Sequence, residues 1–580
     1  MINLLGGLLL KRTIWSSLIL FFLISSFISG CSNSIPVASA SGGNSIAASM
    51  ASSTQKVVAS ATPTKNIPAS LWLDPTLPGV LQEEIKTQNG YQLADTRESA
   101  DLSLALAPNP SSVDNVIGQV QWVYALVAPF PTVTDATLSS DLKNFWLGNS
   151  VANAPLQKLL VSDETVAVFN ALWGTSSSAN VETVSKDQLA TNDFKAPGTW
   201  AIVPFDELTP RWKVIKIDGL SPLDKPLDTS AYALKADFVL SSSIQDTNLQ
   251  AVGKTILSSL PLTNRDESKM TVLMMTGTTA LVRAIAYKME IKGLDYPIEK
   301  VKDWFANADL IHVSNEVSFD PTCPYPDYNQ HGLQFCSSPR YLKTLQDLGV
   351  NVVELTGNHE NDYGSQYLES TIDTYNNLGW SVFGGGKTEA EAQAPVKVEA
   401  NGNKIAFIGC NPAGPTSDWA TGVKAGSAPC DMKYFTQQIS DLKSQGYVVI
   451  ATFQQDEIYN SYSYGDQLAQ VFRDSANAGA DIVSGSEAHY AMGFQFIGNS
   501  LIHFGLGNFL FDQMAVQGVP DDNIRREFID RHIIYNGKYM STELLTAELV
   551  DWAQPTPMTD QQRTAFLTDV FNGSFWSKKQ

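Results

Sequence analysis

Gly357-Asn358-His359-Glu360-Asn361-Asp362-Tyr363-Gly364 decides the fold of the second half of this chain. Residues 350–355 (VNVVEL) precede it and read as a buried strand, and residues 367–375 follow with a helical pattern. Asn358 and His359 therefore stand on a strand-to-helix loop at the carboxyl end of a strand, where open α/β sheets bind ligands. Asn offers a neutral oxygen. His offers an imidazole that binds metal or moves a proton near neutral pH. The same Gly-bounded pair would also suit a plain turn, so residues elsewhere must decide between the two.

On either side of this loop, strand-like runs repeatedly end in polar residues. Residues 270–275 end in Thr276-Gly277-Thr278, and 309–314 in Asn315-Glu316. Residues 447–453 end in Gln454-Gln455-Asp456-Glu457, and 481–485 in Ser486-Glu487-Ala488-His489. Residues 501–504 lead into Gly505-Leu506-Gly507-Asn508-Phe509. Polar strand ends recurring in this way assemble a multi-strand site. In order and spacing these pieces resemble the CapA family of poly-γ-glutamate capsule synthesis, which has the calcineurin-like metallophosphatase fold. The strongest carriers are NHxxDYG at 358–364, Asn315-Glu316 and GLGNFLFD at 505–512. The resemblance implies a CapA-type metallophosphatase-like α/β sandwich over 270–515, completed by a hairpin and helix in 516–580.

It also implies a two-metal centre of Asp, Asn, His and acidic residues that activates water and stabilises charge on a phosphate. The pattern is incomplete here. Thr278, Gln454 and Ser486 stand where the family has one Asp and two His. By resemblance, His359 and Glu316 are the catalytic candidates. Thr278, Arg283, Asn315, Asn358, Gln454, Glu457, Glu487 and Asn508 are candidates for ligand binding. A single-metal remnant would use Glu316, Asn358 and His489, with Glu487 or Asp456 added. No cofactor is required by the sequence; one divalent ion (Mn, Zn or Fe) is the alternative. His312 reads as a core residue and His503 as a residue that could face the site. Glu360 and Asp362 read as caps of the following helix.

The N-terminus has Lys11 and Arg12, an apolar run at 14–28 and Ser29-Gly30-Cys31. The run is shorter than the roughly 20 residues of a spanning helix. It reads as a signal peptide, residues 1–31. Ile28-Ser29-Gly30-Cys31 resembles a bacterial lipobox, which makes Cys31 the lipidated residue of an extracytoplasmic, membrane-anchored protein at the bacterial cell surface. Residues 32–69 are rich in Ser and Ala and read as a disordered tether. Four further cysteines suggest two disulfides in an exported chain. Three pairings are open; the local pairs Cys323–Cys336 and Cys410–Cys430 are preferred because each closes a short Pro/Gly-containing loop.

Residues 70–262 alternate short strands and helices, an α/β pattern. It resembles a periplasmic-binding-protein lobe, either with a ligand cleft or kept as a scaffold. The polar stretch 263–269 reads as the linker. A net charge of −20 argues against a nucleic-acid partner, and no phosphate-loop or dinucleotide fingerprint follows a strand. The expected role is binding of an anionic or peptide-like surface polymer in capsule synthesis, export or anchoring, with the membrane and capsule-synthesis membrane proteins as partners. The alternatives are a metal-dependent hydrolase of a phosphate ester or amide and a small-ligand module run by the first lobe.

Overall fold

One fourteen-residue strand, Val116–Pro129, organises the first lobe. Its first half pairs with Lys235–Ser242 and its second half with Thr199–Pro204 and Trp212–Ile217. The burial pattern follows that division, partly exposed at first and then buried on both faces from Trp122 to Ala128. The computed structural model describes residues 68–576 apart from 152–154, 192–197, 460–461, 463–464, 514 and 517–518. The signal segment, Cys31 and nearly all of the expected tether lie outside the described residues; Ala69 already opens the strand Ala69–Leu73.

The second half is a sandwich of two sheets. The first runs Ser381–Phe383, Val352–Glu354, Leu310–Asn315, Met270–Thr279, Arg526–Tyr535, Lys538–Val550, Gln554–Pro557. Its first four strands are parallel and the last three antiparallel. The second runs Val396–Ala400, Asn403–Cys410, Val448–Gln454, Ile482–Ser486, Ser500–His503, Phe494–Ile497. Its four inner strands are parallel. Leu273, Met275, Val352, Phe407, Ile450, Ile482 and Phe528 form the apolar layer between the sheets. Parallel strands buried on both faces read as continuous apolar runs, which is why their sequence signal was strong. Both sheets point carboxyl ends toward one edge, and the site lies there.

Gly277 shows how tightly that edge is built. A Cβ on it would lie 1.9 Å from the Gly507 carbonyl oxygen. The Thr278 N–H donates to the same oxygen at 3.1 Å. No larger residue permits this approach.

Arg526–Tyr535 and Lys538–Val550 form a hairpin. The two long strands turn at Asn536 (φ +49) and Gly537 (φ +78). Helix Asp560–Gly573 starts in a capping box of Thr559 and Gln562. Cys323–Cys336 and Cys410–Cys430 both form disulfides.

The stretch 263–269, read as a polar linker, is partly buried. Asn264 and Arg265 are buried. Asn264 Oδ1 accepts from the Val123 N–H at 2.8 Å, and its Nδ2 donates to the Val123 carbonyl at 2.9 Å. Arg265 Nε donates to the Pro222 carbonyl at 2.7 Å and Nη1 to Glu267 at 2.7 Å. Polar composition misled because these groups are satisfied by backbone and neighbouring carboxylates rather than by water. The lobes are bound further by Phe130, packed on Phe494, Phe496, Phe571 and Trp576. Arg563 pairs with both Asp135 oxygens at 2.6 and 2.9 Å.

Candidate functional site

Gln454, the last residue of its strand, stands at the centre of the site. Its amide nitrogen donates to Glu316 Oε1 (3.1 Å), Asn358 Oδ1 (3.3 Å) and Glu487 Oε2 (2.7 Å). Its own carbonyl accepts from the Ser486 hydroxyl at 2.7 Å. Asn358 Nδ2 donates to Glu487 Oε1 at 3.1 Å. The Glu487 N–H donates to Thr278 Oγ1 at 3.3 Å. Five strand ends from both sheets thus meet through these side chains.

Two buried carboxyl groups, Glu316 and Glu487, lie side by side here. Burial pushes the Glu487 carboxyl well above its usual range, and the charge of Glu316 adds to the rise. Burial would raise Glu316 as well, but the hydrogen bond from Glu487 and the nearby His359 and His489 hold it below the usual range. The pair is therefore one carboxylic acid beside one carboxylate.

His359 Nδ1 donates to Asp362 at 2.8 Å, and Phe335 packs on its ring at 4.6 Å. Burial pulls its pKa down, but the Asp362 bond and the charge of Glu316 outweigh burial and raise it. Asp362 also accepts from the Phe335 N–H at 2.7 Å. Asp362 and Glu360 do not cap the next helix, which begins at Gly364 without a side-chain cap. Asp362 is occupied by His359, and Glu360 is buried with neither carboxyl oxygen hydrogen-bonded.

His489 Nδ1 donates to Asn508 Oδ1 at 2.8 Å, which leaves Nε2 as the free lone pair, 3.8 Å from Glu457. Its ring stacks on Phe511 at 5.0 Å, and burial lowers its pKa toward the neutral form. Glu487 (φ +71), His489 (φ +56) and Arg283 (φ +46) all hold left-handed backbone. Such strain collects at functional sites because surrounding contacts enforce it.

Two candidates turn away from this cluster. Asn315 donates to the Val317 carbonyl at 2.9 Å. Arg283 donates through Nε to Asp512 at 2.7 Å, with its guanidinium 4.9 Å from both Phe335 and Phe511. His312 faces Glu354 at 3.1 Å, and His503 donates to Asp530 at 2.6 Å in the layer between the sheets, away from the site. Sequence reading missed Asp362 and Asp512 as the partners of His359 and Arg283. Both lie in the two best-matched motifs, and the signal was an acid next to an aromatic at a loop end.

The implied two-metal centre does not suit this donor set. Amide hydrogens of Gln454 point at the three oxygens that would ligate a cation, and Thr278 and Ser486 add only hydroxyls. A single ion is different. Ligand atoms of Glu457, Glu487 and His489 all lie within 4.8 Å of one another. The Glu457 carboxylate, the Glu487 carboxyl once it gives up its proton, and a neutral imidazole held by an amide carbonyl suit one divalent ion. In the first lobe, a cavity of about 410 Å³ is lined by Thr137, Asp141, Trp200 and Asp218. It presents carboxylates and no cation among the described residues, a poor match to an anion.

Residues 272–513 match the family model described as bacterial capsule synthesis protein PGA_cap. The chain is 25% identical over 332 residues to the capsule biosynthesis protein CapA of Bacillus anthracis, covering 55% of this chain and 78% of that one. It is 26% identical over 240 residues to the PGA biosynthesis protein CapA of Bacillus subtilis (strain 168), covering 41% of this chain and 62% of that one. The resemblance to the CapA family therefore stands over this stretch: residues 272–513 are similar to that family. Among solved structures, the calcineurin-like phosphoesterase YfkN of Bacillus subtilis is similar over 52% of this chain and 99% of its own, at 16% identity and a TM-score of 0.30. An ABC-type phosphate transport receptor from Vibrio cholerae covers 33% of this chain and 93% of its own, at 10% identity and a TM-score of 0.28. Likeness at these scores assigns no ligand or activity to this chain. Among the described residues, no helix is long and apolar enough to cross a membrane.

Proposed function

We propose that this chain is a membrane-tethered, extracytoplasmic protein that binds a surface polymer during capsule synthesis, export or anchoring. The polymer is of the poly-γ-glutamate kind. Such a chain offers amides and carboxylates. The cluster at the strand ends carries the carboxamides of Asn358 and Gln454, the carboxylic acid of Glu487 and, beside them, an imidazole biased toward its cationic form. The observation that carries this reading is the Gln454 nitrogen, set between three oxygens where the resemblance implies a metal. A hydrogen-bonding pocket at that place favours recognition over hydrolysis. Capsule-synthesis membrane proteins are the partners expected for such a role.

The test combines metal analysis, phosphodiesterase assay with added Mn²⁺, and calorimetric titration with poly-γ-glutamate. The expected outcome is sub-stoichiometric metal, no hydrolysis, and polymer binding weakened about tenfold, or ~1.4 kcal/mol, by His359→Ala. Stoichiometric metal with Mn²⁺-dependent hydrolysis overturns it. That outcome would favour a second reading, resting on the Glu457, Glu487 and His489 cluster. There one bound ion would supply Lewis acidity, and His359 would hold the proton for a leaving group.

A further inference from the structure

The loop closed by Cys323–Cys336 has two ends with different surroundings. At one end Phe335 packs on His359 and Arg283. At the other, Tyr325 and Tyr328 stand beside Tyr287 and Trp552 along a shallow groove. Tyr287 meets Tyr325 at 6.3 Å and Tyr328 at 5.6 Å, both edge to face, and Tyr328 meets Trp552 at 6.3 Å. Tyr325 is 65% exposed and Trp552 39%. Helix Arg283–Lys292 joins the two regions, because Arg283 and Tyr287 are four residues apart and so share a face.

Trp552 is held there against its backbone preference. Asp551 (φ +50) and Trp552 (φ +65) turn the chain between Lys538–Val550 and Gln554–Pro557 in left-handed geometry. A bulky aromatic at that φ is an outlier where Gly or Asn would be unstrained. Asp551 enforces the turn by accepting from Lys288 (2.5 Å), Lys292 (2.6 Å) and the Tyr296 hydroxyl (2.7 Å). The turn thus keeps a tryptophan ring at the surface, and the disulfide fixes the loop that carries two of the tyrosines.

We propose that Tyr287, Tyr325, Tyr328 and Trp552 form a binding platform for an uncharged glycan chain. Rigid aromatic rings give apolar faces to the C–H surfaces of sugar rings at low entropic cost. Asp327, Asn329 and the tyrosine hydroxyls offer partners to sugar hydroxyls beside them. Charge decides against an anionic chain at this place. The groove's one lysine, Lys288, is already paired with Asp551, and Asp327 adds a negative charge to the lining. This platform goes beyond the polymer-binding reading of the Gln454 pocket and does not depend on it.

The test uses the purified full chain against neutral glycans: cellohexaose, chitohexaose, dextran and pullulan, by calorimetry and affinity electrophoresis. The variants are Tyr325→Ala and Trp552→Gly. The wild type is expected to bind at least one of these glycans, and each variant to weaken that binding about tenfold. Trp552→Gly should keep or raise the melting temperature, since glycine relieves the left-handed strain, so lost binding could not be lost folding. Binding of none of the four glycans by the wild type overturns the proposal. So does equal binding by both variants. Displacement of the bound glycan by millimolar choline would also overturn it, marking the rings as a cage for a quaternary ammonium.

Discussion

Glu360 is the residue least at ease in this fold. It is 1% exposed and neither carboxyl oxygen has a hydrogen-bond partner. Burial pushes its pKa well above the usual carboxylate range, with the charges of Asp418 and Glu316 adding to the rise. The folded chain therefore holds this proton to higher pH than the unfolded chain does. The stability tied to it is complete below the usual carboxylate range and is lost as pH rises through the raised value. Glu360→Gln keeps the shape without the charge. It should raise stability at pH 8 by on the order of 1 kcal/mol and leave it little changed at pH 4. Urea unfolding at both pH values checks this; equal effects at the two would mean that the carboxyl is ionised in the folded chain. His359, one residue earlier, shows the opposite arrangement, a titrating group whose Nδ1 is engaged by Asp362.

At the scale of elements, the Cys323–Cys336 loop joins the site to the aromatic surface. The bond closes 13 residues, and removing a crosslink of that span typically costs about 3 kcal/mol, chiefly by freeing the unfolded chain. The double variant Cys323→Ser/Cys336→Ser should show that loss in denaturant titration. It should also restore a normal His359 pKa in NMR titration, because the Phe335 N–H and ring that hold Asp362 and His359 would be released. An unchanged His359 titration would mean that loop 357–364 fixes the imidazole alone. Strand ends supplied the rest of the site, and their polar residues were visible in sequence because apolar runs frame them. The pairings were not visible. Nothing in a linear pattern says that Gln454 reaches Glu316, 138 residues away.

At the scale of the molecule, the described residues of the two lobes form one compact unit. Phe130 reaches from the first lobe into an aromatic cluster of the second. Arg563 reaches back to Asp135, whose carboxyl it helps hold far below the usual range, together with Lys213 and against the cost of burial. A single calorimetric transition is expected. Phe130→Ala should cost about 3–5 kcal/mol and split the transition in two, with the first lobe melting earlier. One unbroken transition in the variant would show that the Asn264–Arg265 seam suffices to couple the lobes.

Local sequence was enough to place several of the buried strands, the Asn-Gly hairpin, and the polar residues at the strand tips. These are local properties, set by apolar runs, turn residues and spacing. It also carried the resemblance that the family match bears out. Tertiary structure alone decided what those tips do to one another. A glutamine amide fills the space between three oxygens, a polar stretch at 264–265 becomes a buried seam, and a tryptophan is kept at the surface by a strained turn. Each depends on groups far apart in the chain, whose hydrogen bonds and charges count only once folding has removed water from between them.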